Sequence, residues 1–173
     1  MKHLPTISII TPTLNSGKVL EPCLKSITKQ NYSQNLIEII IADGGSTDQT
    51  LEIARKYGAK IYQNPLKTGE AGKAVGLRHA KGELIALIDS DNILSSKDWF
   101  LRMIEPFRDP EIFGSEPIEY TWRKQDGFIT RYCALTGVND PLCLFLGNYD
   151  RRNLLTGKWT EISLESKDQG KWI

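Results

Sequence analysis

Leu36-Ile37-Glu38-Ile39-Ile40-Ile41-Ala42 is nearly all apolar and runs straight into Asp43-Gly44-Gly45. A nearly continuous apolar run of this kind, rich in isoleucine, reads as a strand covered on both faces, the condition of a parallel sheet. Parallel strands need crossover helices, and the flanking sequence supplies them. Upstream, Thr6-Ile7-Ser8-Ile9-Ile10-Thr11 reads as a strand that ends at Pro12. Between the two strands, residues 18–29 set Val19, Leu20, Cys23, Leu24 and Ile27 on one helical stripe. Downstream, Ser46, Thr47 or Asp48 can cap a helix over 49–57, and Gly58 stands just past its end. Ala59-Lys60-Ile61-Tyr62 reads as a short strand and residues 70–80 as a helix, with Gly72 and Gly76 permitting close backbone approach. Glu83-Leu84-Ile85-Ala86-Leu87-Ile88 is a buried-type strand leading into Asp89, and residues 98–107 form a further helix.

This alternation, β-α-β-α-β-α-β-α over about 110 residues, predicts an α/β fold with a mostly parallel central sheet and helices on both faces. Ligands of such sheets bind outside the carboxyl ends of the strands. The polar residues there are Thr13 and Asn15, Asp43 and Ser46, and Asp89 and Asp91, which should converge on one rim. After Asp109-Pro110 the pattern weakens. Residues 111–120 read as a strand interrupted at Gly114 and Pro117, residues 128–135 as a helix, and the tail from Glu165 is polar.

The chain has 173 residues, enough for one domain with a sizeable core. Its net charge of +1 gives no electrostatic reason to expect a nucleic-acid partner. No stretch approaches the roughly 20 apolar residues that span a bilayer. Met1-Lys2-His3-Leu4-Pro5 lacks the apolar core of a secretory signal, so a cytoplasmic location is expected. Cys23, Cys133 and Cys143 lack zinc-like spacing and read as reduced thiols.

Asp89-Ser90-Asp91 places two carboxylates two residues apart beyond a strand. They repel each other unless a cation or proton intervenes, and a hard divalent cation takes oxygen ligands of this type. The spacing equally suits acidic residues at the start of the next helix. In Asp43-Gly44-Gly45-Ser46-Thr47-Asp48, the glycines allow close ligand approach and a carboxylate can accept from a nucleobase N–H; a turn and helix cap also fit. Thr11-Pro12-Thr13-Leu14-Asn15-Ser16-Gly17 is a third polar rim loop that by itself reads as a strand-to-helix connection. Lys73 faces the same edge, either as a point charge for a phosphate or as a solvated helix lysine.

Taken in order, Ile9-Ile10-Thr11-Pro12-Thr13-Leu14-Asn15, Ile41-Ala42-Asp43-Gly44-Gly45-Ser46-Thr47-Asp48-Gln49-Thr50 and the segment from Gly76 to Asn92 resemble the family 2 glycosyltransferases of the GT-A fold. The resemblance covers about residues 5–110. It implies a Rossmann-like α/β/α sandwich, with residues 1–110 as the nucleotide-sugar-binding core and residues 111–173 as an acceptor-side segment completing the same domain, in a chain that ends early for a complete catalytic domain. It further implies inverting transfer of a sugar from a UDP- or GDP-sugar to a glycan or a lipid phosphate at the inner membrane face. By this resemblance the loop Thr11, Pro12, Thr13 and Asn15 lies against the nucleoside, and Asp43, beside Gly44, accepts from the base N–H. Asp89 helps position the ribose and the water shell of the metal, Ser90 belongs to the same donor-binding segment, and Asp91 ligates Mn2+ or Mg2+ directly.

The chain departs from the family pattern in two places. It carries Ala74 and Val75 where many members have Arg-Asn, and it shows no downstream acidic pair to supply a general base. Asp140 is the first candidate for the base, with Asp150 and Glu116 as alternatives; Asn139-Asp140-Pro141 also reads as a turn. A lipid phosphate acceptor is already anionic and needs no base. The alternatives to an enzyme with this chemistry are a nucleotide-sugar-binding module without turnover and an aspartyl phosphotransferase, whose motif usually follows an early strand. His3 and His79 receive no role. The apolar set from Tyr132 to Tyr149 reads as core or as a membrane-surface acceptor site.

Overall fold

The computed structural model describes residues 4–159; His3 and the tail from Glu165 lie outside them. The chain divides into two compact units, Met1–Leu101 and Arg102–Ile173. In the first, β1 (Ile7–Thr13), β2 (Ile37–Asp43), β3 (Lys60–Gln63) and β4 (Leu84–Leu87) form a four-stranded sheet in the order β3-β2-β1-β4. All pairings are parallel: Ile10 lies opposite Ile40 and Leu87, and Asp43 lies between Thr13 and Gln63. Helices α1 (Leu20–Thr28), α2 (Thr50–Lys56) and α3 (Gly69–His79) fill the three connections. The chain steps from β1 to β2 to β3, then crosses back to β4 on the far side of β1. Right-handed crossovers therefore put α1 and α2 on one face and α3 on the other.

The core runs through Ile7, Ile9 and Ile10 of β1, Ile39 to Ala42 of β2, and Leu20, Cys23, Leu24 and Ile27 of α1, all buried. On the opposite face, α3 lies unusually close to β1. A Cβ at Gly76 would come within 2.3 Å of Ile10 Cγ2, and one at Gly72 within 2.8 Å of Pro12 Cβ. Residues four apart share a helix face, so the two glycines together form the flat contact the sequence anticipates.

β4 departs from the expected buried strand. Leu84 and Ala86 are half-buried, whereas Ile85 and Leu87 are exposed. Leu87 shares a face with its register partner Ile10, the face on which α3 packs over β1 and β2; at the sheet edge that cover runs out. The N-cap of α2 is Gln49, which makes no side-chain capping bond. Of Ser46, Thr47 and Asp48 it is Asp48, one residue earlier, that bonds the helix start, its Oδ1 accepting from Thr50 N at 3.0 Å and from Thr50 Oγ1 at 2.5 Å. Gly58, at φ +69°, closes the other end in the left-handed region that glycine favours.

A polar knot ties the amino ends of the strands. Buried Ser8 donates to Glu38 and accepts from Gly82 N at 2.7 Å and Lys81 N at 3.1 Å. Glu38 also accepts from Lys81 N at 2.6 Å and pairs with Lys60 Nζ at 2.7 Å. Burial works against the Glu38 carboxylate, but hydrogen bonds from Lys60, Ser8 and Lys81 N–H and the charge of Lys60 outweigh it, lowering the pKa from 4.5 to about 2.

In the second unit, a 3-10 turn at Glu105–Arg108 follows α4 (Trp99–Ile104), and α5 (Phe128–Thr136) ends at Gly137. Residues 111–120 hold no strand, contrary to the sequence expectation; Pro117 removes a ladder donor and no partner strand lies alongside among the described residues. A five-residue helix, α6 (Pro141–Phe145), is present in the apolar stretch after the Asn139-Asp140-Pro141 turn, where the sequence shows no helical period. No described helix is long and apolar enough to cross a membrane.

Two outcomes follow from this packing. Helix propensity alone would make Gly76→Ala stabilising by about 1 kcal/mol, but the Ile10 clash should reverse the sign and cost about 1–3 kcal/mol in urea unfolding. For Glu38 the folded pKa lies below the unfolded one, so its stabilisation is present above 4.5 and lost as pH falls towards about 2. Unfolding free energy measured across that interval should fall more steeply for the wild type than for Glu38→Gln; parallel curves would contradict the assignment.

Candidate functional site

Strand order reverses between β1 and β4, and at such a switch point the loops leaving the two strands part to open a crevice. Three loops meet at this end: those after β1, β2 and β4. The first two are closely stitched together. Asp43, only 5% exposed, accepts four hydrogen bonds. Its Oδ1 takes Thr13 Oγ1 at 2.9 Å and Ser46 Oγ at 2.5 Å, and its Oδ2 takes Gly45 N at 2.9 Å and Ser46 N at 2.8 Å. Burial raises the pKa of this carboxyl, but the donors from Ser46, Thr13 and Gly45 outweigh it and the net shift is downward.

Asn15 clamps the loops from the other side. Its φ of +51° lies in the left-handed region, which asparagine tolerates better than most residues. Its N–H donates to Ser46 Oγ at 2.8 Å, and its Oδ1 accepts from Thr47 N at 2.9 Å. Gly44 N donates to Thr13 O at 2.8 Å, Gly17 N to Asp48 Oδ2 at 2.9 Å, and Ser16 N to Thr50 Oγ1 at 2.8 Å.

The third loop is anchored by buried Ile88 and two lighter contacts. Ser90 Oγ donates to Ser16 Oγ at 3.1 Å, and Cys23 Sγ lies 3.7 Å from Asp89 O. Asp89 and Asp91 are exposed, and Lys73 Nζ sits 3.7 Å from Asp89 Oδ1. α4 begins only at Trp99, so neither carboxylate stands at a helix start and the capping alternative falls away. Among the described residues no group of three or more His, Cys, Asp or Glu side chains is assembled to hold a metal. Two exposed carboxylates do suit a hard cation of the Mg2+ type, which completes its shell with water and phosphate oxygens. Burial, then the charges of Asp91 and Asp89, push the Cys23 thiol up to about 12, so it offers no thiolate.

Thr13, Asn15, Asp43, Gly44 and Ser46 thus form one cluster, joined to Ser90 through Ser16, with Lys73 beside Asp89. Thr11 brings no side chain to the rim: it is wholly buried, and its Oγ1 has no partner among the described residues. Pro12 faces Gly72 of α3. Ser16 links all three loops, a role its place in the first rim loop does not reveal in the sequence; a serine just past a strand-end turn is its only local signal.

The three base candidates lie in the second unit. Asp140 Oδ1 caps α6 by accepting from Leu142 N at 2.8 Å, and Asp150 Oδ2 accepts from Asn139 N at 3.1 Å. Glu116 Oε2 lies 3.3 Å from Arg151. His79 stacks on Tyr62 with ring centroids 3.7 Å apart.

A parallel α/β sheet whose switch point carries a polar rim defines the class of folds that bind their ligands at the carboxyl ends of the strands. The chain belongs to glycosyl transferase family 2, whose sequence model matches residues 8–132. It is 36% identical over 96 residues to the poly(ribitol-phosphate) beta-N-acetylglucosaminyltransferase TarS of Staphylococcus aureus, which covers 52% of this chain and 17% of TarS. The structure of TarS 1–349 in complex with UDP matches with a TM-score of 0.53 at 28% identity, covering 68% of this chain and 40% of that one. Glucosyl-3-phosphoglycerate synthase from Mycobacterium tuberculosis, solved with Mn2+, UDP and glucosyl-3-phosphoglycerate, matches with a TM-score of 0.50 at 29% identity over 62% of this chain and 41% of that one. The mannosyltransferase PcManGT of Pyrobaculum calidifontis, at TM-score 0.59 and 24% identity over 64% of this chain and 34% of its own, agrees in fold. The fold is that of the GT-A glycosyltransferases. The chain spans well under half the length of each of these proteins.

Because Cys23 is buried with a raised pKa, iodoacetamide on the folded protein should label the half-buried Cys133 and Cys143 well before Cys23. Peptide mass spectrometry reads the order, and early labelling of Cys23 would contradict this geometry.

Proposed function

We propose that this chain is an inverting, metal-dependent glycosyltransferase that binds a UDP- or GDP-sugar at this rim and moves its sugar to an acceptor. The observation that carries the reading is the rim itself: two stitched loops beside an exposed carboxylate pair, with Lys73 Nζ 3.7 Å from Asp89 Oδ1. Relatives solved with UDP, and in one case with Mn2+ as well, support it. In this reading Asp91, assisted by Asp89 through water, would hold Mn2+ or Mg2+. The bound metal would neutralise charge building on the diphosphate leaving group. Lys73 contributes a further positive charge for the phosphates, and Ser90 and Asp89 lie on the ribose side. Thr13, Asn15, Asp43 and Gly44, on the backbone of Thr11 and Pro12, form the nucleoside side.

Residues 1–110 are the donor-binding core in this proposal and residues 111–173 the acceptor side, with Asp140 the first candidate base. The acceptor is a glycan or a lipid phosphate. A lipid phosphate at the inner membrane face gains support from α6, where Leu142, Phe145 and Leu146 are exposed at the i, i+3 and i+4 positions of one face. The alternative, a donor-binding module without turnover, gains support from Asp140, whose Oδ1 is engaged in capping α6.

Asp91→Ala should weaken Mn2+-dependent binding of UDP or GDP by more than about tenfold with the fold intact. Thermal shift with and without Mn2+ reads the change, since ligands of the folded state raise its stability. Undiminished Mn2+-dependent binding in the variant would sink the metal assignment. Donor hydrolysis or transfer by the wild type separates the enzyme from the module.

A further inference from the structure

Asp43 stands where a side chain reading a nucleobase would stand, yet its hydrogen-bonding capacity is already committed. A carboxylate has about four acceptor sites, and Thr13, Gly45 and Ser46 fill all of them. We propose that Asp43 is a positioning residue and that the donor base is read by the main-chain carbonyl of Gly45, which selects bases carrying a ring N–H, uracil or guanine. This inference rests on the donor-binding reading above.

The geometry follows from the peptide planes. Three successive N–H groups turn inward: Gly44 N to Thr13 O, and Gly45 N and Ser46 N to Asp43 Oδ2. Among the described residues no peptide bond is cis, so each carbonyl points opposite to the N–H that follows it. The Ser46 N–H aims at the carboxylate, and the Gly45 carbonyl therefore aims away from it. Gly45 is exposed at φ +95°, a Cβ there would meet nothing within 4 Å, and among the described residues its carbonyl accepts no hydrogen bond.

Gly44, by contrast, is buried, and a Cβ there would lie 3.4 Å from Leu14 Cδ1 and from Lys67 Cα. The turn thus presents an outward acceptor, with no N–H donor, next to the half-exposed Leu14, an apolar surface for a planar ring. Uracil N3–H and guanine N1–H match that acceptor. Cytosine, with a ring lone pair at the equivalent position, does not.

Calorimetric titration of the full chain with UDP, GDP and CDP, for wild type, Asp43→Asn and Ser46→Ala, tests the assignment. Amide hydrogen exchange of the ligand-free proteins supplies an independent readout. In the wild type, UDP and GDP should bind about tenfold more tightly than CDP, the worth of one hydrogen bond. Asp43→Asn puts an amide group where two N–H donors need an acceptor. It should speed exchange at Gly45 and Ser46 and weaken all three nucleotides by a similar factor, leaving their ranking unchanged. Ser46→Ala, the milder change should Asp43→Asn fold poorly, should give the same pattern. A UDP-to-CDP ratio that collapses towards one in Asp43→Asn would show that the carboxylate reads the base, and unchanged exchange at both amides would refute the positioning role. Failure of wild type to bind any of the three nucleotides would overturn the donor reading and the base reading with it, while faster exchange in the variants would still uphold the clamp.

Discussion

β1 is hydrogen-bonded along both edges, to β2 on one side and β4 on the other, and the rest of the first unit is arranged around that constraint. The chain must leave β1 in one direction and return on the other side, which forces α3 across the sheet face. That crossing is close because Gly72 and Gly76 present no side chains to Pro12 and Ile10. At the amino end of β1, Ser8 gathers the α3–β4 turn onto Glu38. At the carboxyl end, the same reversal of strand order separates the loops and leaves room for a ligand.

The acidic side chains divide accordingly. Glu38 and Asp43 sit near opposite ends of β2, shielded and supplied with donors, and both titrate below their ordinary range. They hold backbone in place. Asp89 and Asp91 receive no such shell and stay exposed to solvent, with one lysine nearby. A carboxylate surrounded by N–H and O–H groups has little left to offer a ligand, whereas one left bare retains its full capacity.

The sequence made some of this legible and could not have disclosed the rest. β2 announced itself because both its faces are covered, so its run from Ile39 to Ala42 is apolar at every position. β4 carries a similar run, but whether a helix covers an edge strand depends on where α3 comes to lie, which no local pattern records. The rim was readable because Thr13, Asp43 and Asp89 each follow an apolar strand. The saturation of Asp43 was not: one donor, Thr13, comes from 30 residues away, and the others depend on a turn conformation that glycine only permits. The capping alternative for Asp89 and Asp91 could be settled only by locating the start of α4. α6 escaped notice because five residues carry too little periodicity; a Pro at its start and the Asp140 cap define it instead.

The stitching of the Asn15 and Ser46 loops bears on the entropy of binding. Cross-links such as Asn15 N to Ser46 Oγ, Thr47 N to Asn15 Oδ1 and Ser16 N to Thr50 Oγ1 fix this side of the rim before any ligand arrives. A preformed surface loses little conformational freedom on binding. The Asp89–Asp91 loop is held by fewer ties and keeps more of its freedom. The crevice therefore combines a rigid wall with an adaptable one, an arrangement in which a ligand can seat against the first and the charged loop can settle around it afterwards.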